Sequence, residues 1–192
     1  EKLISSWDSN SQTSLINRNA GIEPVKVDEE LFNLIHRAVK ISGLTRGAFD
    51  ISYASLDEIC KYDGSMTELP DSRLIEQSIS KVGYGGIVLN YENQTVFLKL
   101  KGMKIGFGAI GKGYAADKAK ALLKSRGVKS GIINASGDLY AWGKQPDGSD
   151  WKVGITNPLN PQKIFSWLPV NDQAVVTSGN YEKYVIFDGV RY

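Results

Sequence analysis

The chain has almost none of the side chains that carry simple metal or thiol chemistry. Cys60 is its only cysteine and His36 its only histidine among 192 residues. An internal disulfide framework, a cysteine-based zinc cluster and a site built on two histidines of one chain are therefore excluded. Cys60 reads as a small apolar side chain rather than a nucleophile. Charge of one sign is also lacking: 23 basic residues against 21 acidic leave a formal +2. No basic stripe interleaved with aromatics is present, so nucleic acid is not an expected partner. No apolar run approaches the ~20 residues needed to span a bilayer. What remains is an ordinary globular composition, 42% hydrophobic and 23% charged, which suits a single domain over residues 1–192 with a substantial core.

The informative stretch runs from Lys104 to Gly143, KIGFGAIGKGYAADKAKALLKSRGVKSGIINASGDLYAWG. It reads as a strand end, a glycine turn, an amphipathic helix, then a buried strand closing on a second glycine turn. Gly106, Gly108, Gly111 and Gly113 lack the Cβ that would keep a ligand from backbone N–H groups. The helix that follows turns its positive end to the same place. Two familiar motifs fit only in part. Gly106, Gly108 and Gly111 satisfy the dinucleotide pattern, but the next strand ends in Asn134 and Ala135, without the acidic residue that holds a ribose. Gly106 to Lys112 satisfies most of a P-loop, yet Gly113 stands where Ser or Thr would bind magnesium.

The longer string is more specific. IGFGAIGKGYAAD, followed by a helix and NASGD, closely resembles the ApbE family of FAD:protein FMN transferases. GAFD at Gly47–Asp50, AVVTSGNYEKY at Ala174–Tyr184 and the N-terminal WDSNSQTSLINRNAG match in the family's order. The resemblance thus covers essentially the whole chain. It implies an enzyme that splits the pyrophosphate of FAD, passes FMN to a threonine hydroxyl on a partner flavoprotein and releases AMP, with magnesium neutralising phosphate charge. It also implies roles for individual residues. Trp7 would pack on the flavin ring; its residues alone favour an aromatic lid over a core edge, and the resemblance tips the reading to the flavin. Ala48, Phe49 and Asp50 would hold FAD, the first two through backbone and the last by hydrogen bonding; otherwise they form a loop with a buried Phe and a capping Asp.

Lys112 would contact the flavin nucleotide, which fits its place in a helix's first turn, where a cation is unfavourable unless an anion joins it. Ala109 would ligate magnesium, necessarily through its backbone carbonyl. Ser136 and Asp138 lie in a turn the family places near the nucleotide, and Thr177, Ser178 and Gly179 offer hydroxyls and open backbone to phosphate. Most relatives carry Asp where this chain has Gly106, which leaves open how the ribose or adenine end is held. No catalytic residue is assigned in the chain. The family's histidine, and the Asp and Thr that complete its magnesium site, are expected beyond Tyr192, because FDGVRY reads as an interrupted strand and Glu1 is not a start methionine. The family also implies a periplasmic or cell-envelope lipoprotein, its lipid anchor absent from this chain. An FAD pyrophosphatase giving FMN and AMP and a non-enzymatic FAD-binding protein are the alternatives.

The expected fold is α+β, with packed helices and mixed or antiparallel sheets around a local βαβ-like centre. The first segment reads as a helix end followed by a polar loop. A helix is expected from Asp28 to Gly43, with Leu31, Leu34, Ile35, Ala38 and Val39 on its apolar stripe and His36 in solvent. A second opens at Pro70 and Asp71, with Leu74, Ile75 and Ile79 on one face. GIVLN and TVFLKL form a hairpin around YENQ. The central helix packs a small-residue face of Ala115, Ala116, Ala119, Leu122 and Leu123. Strands GSDWKVGITNP and FSWLPV follow, with PDGSD as a surface turn, and AVVTSGNYEKYVIF reads as strand, polar turn and strand.

Overall fold

The computed structural model describes residues 2–59, 70–177, 186–187 and 190–191. Cys60, Ser178 and Gly179 lie outside them. The chain gathers into two compact units, Glu1–Ala109 with Val185–Tyr192, and Ile110–Tyr184. The architecture is α+β with antiparallel sheets, as expected.

In the first unit the polar loop precedes its helix, which reverses the order read from sequence. Ser11 caps α1 (Gln12–Arg18) by accepting from the Ser14 N–H, a bond that a loop residue makes only at a helix start. After β1 (Val25–Lys26), α2 (Glu29–Leu44) follows the predicted stripe, with Leu31, Leu34, Ile35 and Ala38 buried and Val39 half-buried. Asp28 is its N-cap by position, although its side chain makes no capping bond. The helix runs one residue past Gly43. The stop is a Schellman pair: the Gly47 N–H donates to Ser42 O (2.8 Å) and the Arg46 N–H to Gly43 O (3.2 Å).

A 3₁₀ helix (Ile51–Ile59) and α3 (Ser72–Ile79) come next. Asp71 caps α3 as predicted, but Leu74 and Ile79 are more than half exposed, so the amphipathic face is not core. The GIVLN–TVFLKL hairpin is present as β2 (Ile87–Asn90) and β3 (Thr95–Leu98). The Asn90 carboxamide ties its turn by accepting from Glu92 and Asn93 N–H groups. The sheet order is β1-β3-β2, and α1 and α2 pack on it. The same unit holds the short antiparallel pair β9 (Ile186–Phe187) and β10 (Val190–Arg191).

Lys104–Phe107 belongs to no ladder, contrary to the strand expected there. Side chains satisfy its backbone instead. The Asn17 carboxamide accepts from the Ile105 N–H (2.8 Å) and donates to the Ile105 carbonyl (3.0 Å). The Ser55 hydroxyl does the same for Lys104, at 2.8 and 3.0 Å, and the Gly106 N–H donates to Ile51 O. Ile105 and Met103 are fully buried, so these bonds replace water that cannot reach the segment.

In the second unit, α4 (Gly111–Ser125) is followed by β4 (Gly131–Ala135) and β5 (Asp138–Trp142), paired antiparallel. The centre is therefore a helix and a hairpin, not a βαβ unit. β4 is not the buried strand expected: its residues alternate between half-buried and exposed, because only one face meets α4. α4 fully buries only Ala116 of its small-residue face; Ala119 and Leu123 are half-buried, and Ala115 and Leu122 are exposed. β5 also pairs with β8 (Gln173–Val175). The strands expected after Asp147 form one long hairpin, β6 (Trp151–Asn157) and β7 (Asn160–Val170), the latter starting five residues before FSWLPV. Val153, Val170 and Trp151 pack against Ala141, Leu139 and Val175 to make this unit's core. The PDGSD turn is held by the Asp147 carboxylate, which accepts from the Ser149 N–H and hydroxyl.

Lys120 fastens α4 to the β7–β8 turn. Its ammonium meets the Asp172 carboxylate at 2.7 Å and lies 3.6 Å above the Tyr140 ring. The hydrogen bond from Lys120, and then its charge, hold the Asp172 carboxyl below the usual carboxylate range.

Two outcomes are expected. Asn17→Ala removes the partners of both backbone groups of buried Ile105 and should cost about 2–6 kcal/mol, at 1–3 kcal/mol per orphaned group, read from urea denaturation. A loss under about 1 kcal/mol would mean the segment finds other partners. A carboxyl with a depressed folded value stabilises the fold above its unfolded value, near ~3.9, and that stability is lost as pH falls through the folded value. Asp172→Asn should therefore flatten the fall in urea midpoint on acidification below about pH 4. An unchanged slope would remove the Lys120 pair from the account.

Candidate functional site

Trp7 stands on a tightly bonded turn with its ring in water. The Ser5 hydroxyl accepts from the Trp7 and Asp8 N–H groups, Asp8 accepts from Asn10, and the Ser11 hydroxyl donates to Ser5 O. The indole is 88% exposed, so it lids no core edge; it is a flat apolar surface on a fixed backbone.

The GAFD segment leaves the Schellman end of α2. Ala48 is exposed, while Phe49 is half-buried with its N–H on the Thr45 hydroxyl. Asp50 is committed to the fold. One carboxylate oxygen accepts from the Ser52 N–H and hydroxyl (2.8 and 2.7 Å), the other from the Tyr84 N–H (2.7 Å). The Ser52 hydroxyl in turn accepts from the Gly83 N–H (2.8 Å), so the pair stitches the 3₁₀ helix to the loop before β2. The oxygen facing Tyr84 retains a lone pair for a ligand N–H.

The glycine turn has a different rationale from the one its sequence offers. A Cβ on Gly108 would stand 2.5 Å from the Tyr53 hydroxyl, and one on Gly106 would meet the Ala54 methyl at 3.0 Å. The room left by these two glycines is filled from within, by the 3₁₀ helix. Gly113 is the open one, with nothing within 4 Å. Ala109 is exposed between Gly108 and α4.

α4 begins without a side-chain cap, because Ile110 occupies the N-cap position. Lys112, in the first turn, adds a cation to the helix's positive end. The hairpin answers it: the Lys112 ammonium lies 3.1 Å from Asp138 Oδ1 and 3.4 Å from the Ser136 carbonyl. Ser136 (φ +56°) and Gly137 (φ +96°) form the two-residue β4–β5 turn, whose left-handed backbone at both positions suits the strands' twist. The Asn134 carboxamide accepts from the Gly137 N–H and fixes that turn. Asp138 is 92% buried, since its exposure is 8%, whereas half of the lysine's side chain remains in solvent. Thr177 is exposed just past β8.

The fold thus brings Lys112, Ser136 and Asp138 together in the second unit, with Thr177 on the same unit. Trp7, Ala48, Phe49, Asp50, Gly106 and Ala109 lie on the first. Tyr53, Asn17 and Ser55 were not anticipated, and no local pattern marks them: each acts on a partner about 50 or more residues away in the chain.

These features define an α+β protein with a cation-bearing helix start and an exposed stacking surface. A model of the ApbE family matches residues 1–192, and the chain belongs to that family. It is 31% identical to a protein of Klebsiella pneumoniae (strain 342) and 29% identical to one of Treponema pallidum (strain Nichols), both named FAD:protein FMN transferase. Both matches cover 100% of this chain, and 59% and 57% of the relatives. The crystal structure of the ApbE protein from Thermotoga maritima superposes with a TM-score of 0.87 at 33% identity, over 100% of this chain and 62% of that one. The apo flavinyl transferase ApbE of Pseudomonas stutzeri gives 0.84 at 25% identity, over 100% and 59%. The chain therefore spans about three fifths of the length of these relatives.

Gly108→Ala should expel the Tyr53 hydroxyl and destabilise the protein by about 1–3 kcal/mol, the usual range for overpacking. Tyr53→Phe in the same background should restore most of it, because the next ring atom lies 3.8 Å from the added methyl. Chemical denaturation of the two variants and the double variant decides this; failure of the rescue would mean the backbone, not Tyr53, requires glycine.

Proposed function

We propose that the full-length protein transfers FMN from FAD to a threonine hydroxyl of an acceptor flavoprotein, with magnesium, releasing AMP. The threonine oxygen forms a bond to the FMN phosphorus as the bond to the bridging pyrophosphate oxygen breaks. The AMP phosphate carries away that electron pair, and a base takes the hydroxyl proton. The observation that carries this reading is the Lys112 ammonium in the uncapped first turn of α4. A cation placed where the helix is already positive is a seat for phosphate, and the family supplies the phosphate's identity.

Trp7 would stack on the isoalloxazine ring. Backbone groups of Ala48 and Phe49, with the remaining lone pair of Asp50, would take the ligand's polar edges. Lys112 would neutralise phosphate charge, and Ser136, Thr177, Ser178 and Gly179 would contribute hydroxyl and backbone contacts. With Gly106 in place of an acid and Ala54 against it, the nucleotide end would be held without a carboxylate at that position.

The fit for magnesium is partial. The carbonyl of Ala109, an exposed residue, is a hard oxygen of the right kind, but no group of three or more acidic, histidine or cysteine side chains among the described residues could complete a shell. When bound, magnesium would act as a Lewis acid on the phosphates. The base and the remaining metal ligands are assigned to the part of the family's length that this chain does not span. His36 is a poor candidate base, exposed on α2 and edge-on to Tyr91 at 5.4 Å. The proposed setting is the cell envelope, reached through a lipid anchor.

The deciding measurement is intact mass spectrometry of the full-length protein with FAD, magnesium and a threonine-bearing acceptor peptide, with AMP quantified in the same tube. A peptide heavier by FMN, with matching AMP, is the expected result, and Lys112→Met should slow it at least ~100-fold, the scale of losing one transition-state charge contact. Free FMN and AMP beside an unmodified peptide would replace transfer by hydrolysis. FAD that binds and stays intact would reduce the protein to a carrier.

A further inference from the structure

We infer that Asp138 is a positioning residue that aims the Lys112 ammonium, rather than a ligand contact in its own right. This rests on the preceding reading only for the identity of the anion. A lysine head group on four flexible carbons is a poor pre-organised donor, because its rotamer freedom must be lost at each binding event. Here that loss is met on folding. The ammonium has three N–H donors and no acceptor. One is directed at Asp138 Oδ1 (3.1 Å), and a second at the Ser136 carbonyl at the long end of hydrogen-bond range (3.4 Å). The third is left for the solvent side, where 45% of the lysine side chain is exposed.

The platform holding it is tied by hydrogen bonds and strand register. Ser136 and Gly137 are fixed in the hairpin turn by the Asn134 carboxamide, and Asp138 opens β5 in register with Ala135. Asp138 has only 11% of its side chain exposed, so it has little water to fall back on if the lysine departs. Leaving a largely buried carboxylate without its cation is costly. An arriving phosphate therefore takes the free third N–H while the other two stay engaged, instead of pulling the lysine off its carboxylate. Asp138 also balances the charge that Lys112 adds to the positive start of α4, so the cation is tolerated before any ligand arrives.

The competing account has Asp138 contending with phosphate for the ammonium, and the two accounts differ in sign. Under positioning, Asp138→Asn weakens FAD binding about tenfold. Combined with Lys112→Met it is no worse than Lys112→Met alone, because both act through one contact. Under competition, Asp138→Asn leaves affinity unchanged or tightens it. FAD titration of the full-length wild type, both single variants and the double variant, followed by flavin fluorescence, reads this directly. Tighter or unchanged binding, or additive losses, would overturn the proposal.

A second readout needs no flavin. The proton–nitrogen NMR signal of the Lys112 ammonium, assigned by its loss in Lys112→Met, should report a motionally restricted group in ligand-free wild type. It should relax to the mobility of the other exposed lysines in Asp138→Asn. A freely mobile ammonium in wild type would overturn the inference even if Asp138→Asn does not fold. Failure of the wild type to bind FAD would sink the flavin reading instead, with the NMR signal still deciding whether Asp138 orients Lys112.

Discussion

The backbone of a single residue, Ile105, anchors the glycine-rich stretch that leads into α4. Ile105 is fully buried outside any sheet, and its N–H and carbonyl are both taken by the carboxamide of Asn17. Buried backbone without partners costs free energy on the scale of a hydrogen bond per group, so the segment can enter the core only with these substitutes for a ladder. Ser55 does the same one residue earlier. The glycine turn that follows is consequently carried on an extended segment clamped by side chains from α1 and from the 3₁₀ helix. The same 3₁₀ helix fills the room over Gly106 and Gly108 through Ala54 and Tyr53.

The second unit resolves a different difficulty, an unpaired positive charge at a positive helix end. Its answer is geometric. A two-residue hairpin turn with left-handed backbone delivers a carbonyl and a carboxylate to one ammonium. Asp50 and Asp138 are instructive as a pair. Both are acids in polar turns that the family resemblance points to, yet Asp50 spends its bonds on backbone N–H groups and the Ser52 hydroxyl whereas Asp138 spends one on a cation. The first consolidates a loop, and the second faces a lysine at a helix start.

Much of this architecture was readable. The α2 stripe, the Asp71 cap, the Asn90 hairpin and the PDGSD turn depend on residues within a few positions of one another, and local rules capture them. The errors have a common origin. Lys104–Phe107 has strand composition, but no described strand pairs with it; Leu74 and Ile79 have helical spacing, but nothing described covers them. Periodicity reports what a segment could bury, not whether a partner arrives. The βαβ reading failed for the same reason: strand, helix and strand in order do not say which edges pair, and β4 pairs with β5.

By itself the sequence determined the family, through ordered segments spread along the chain, and with it the α+β class and the candidates Trp7, Asp50 and Lys112. Chemical identity along a chain is a one-dimensional property, so motifs retain it. Tertiary structure alone decided why Gly108 must be glycine, which acid faces Lys112 and what replaces a ladder at Ile105. Each is an approach of a few ångströms between groups about 25 to 90 positions apart. No local propensity encodes such a contact, because it exists only once the intervening chain has been packed.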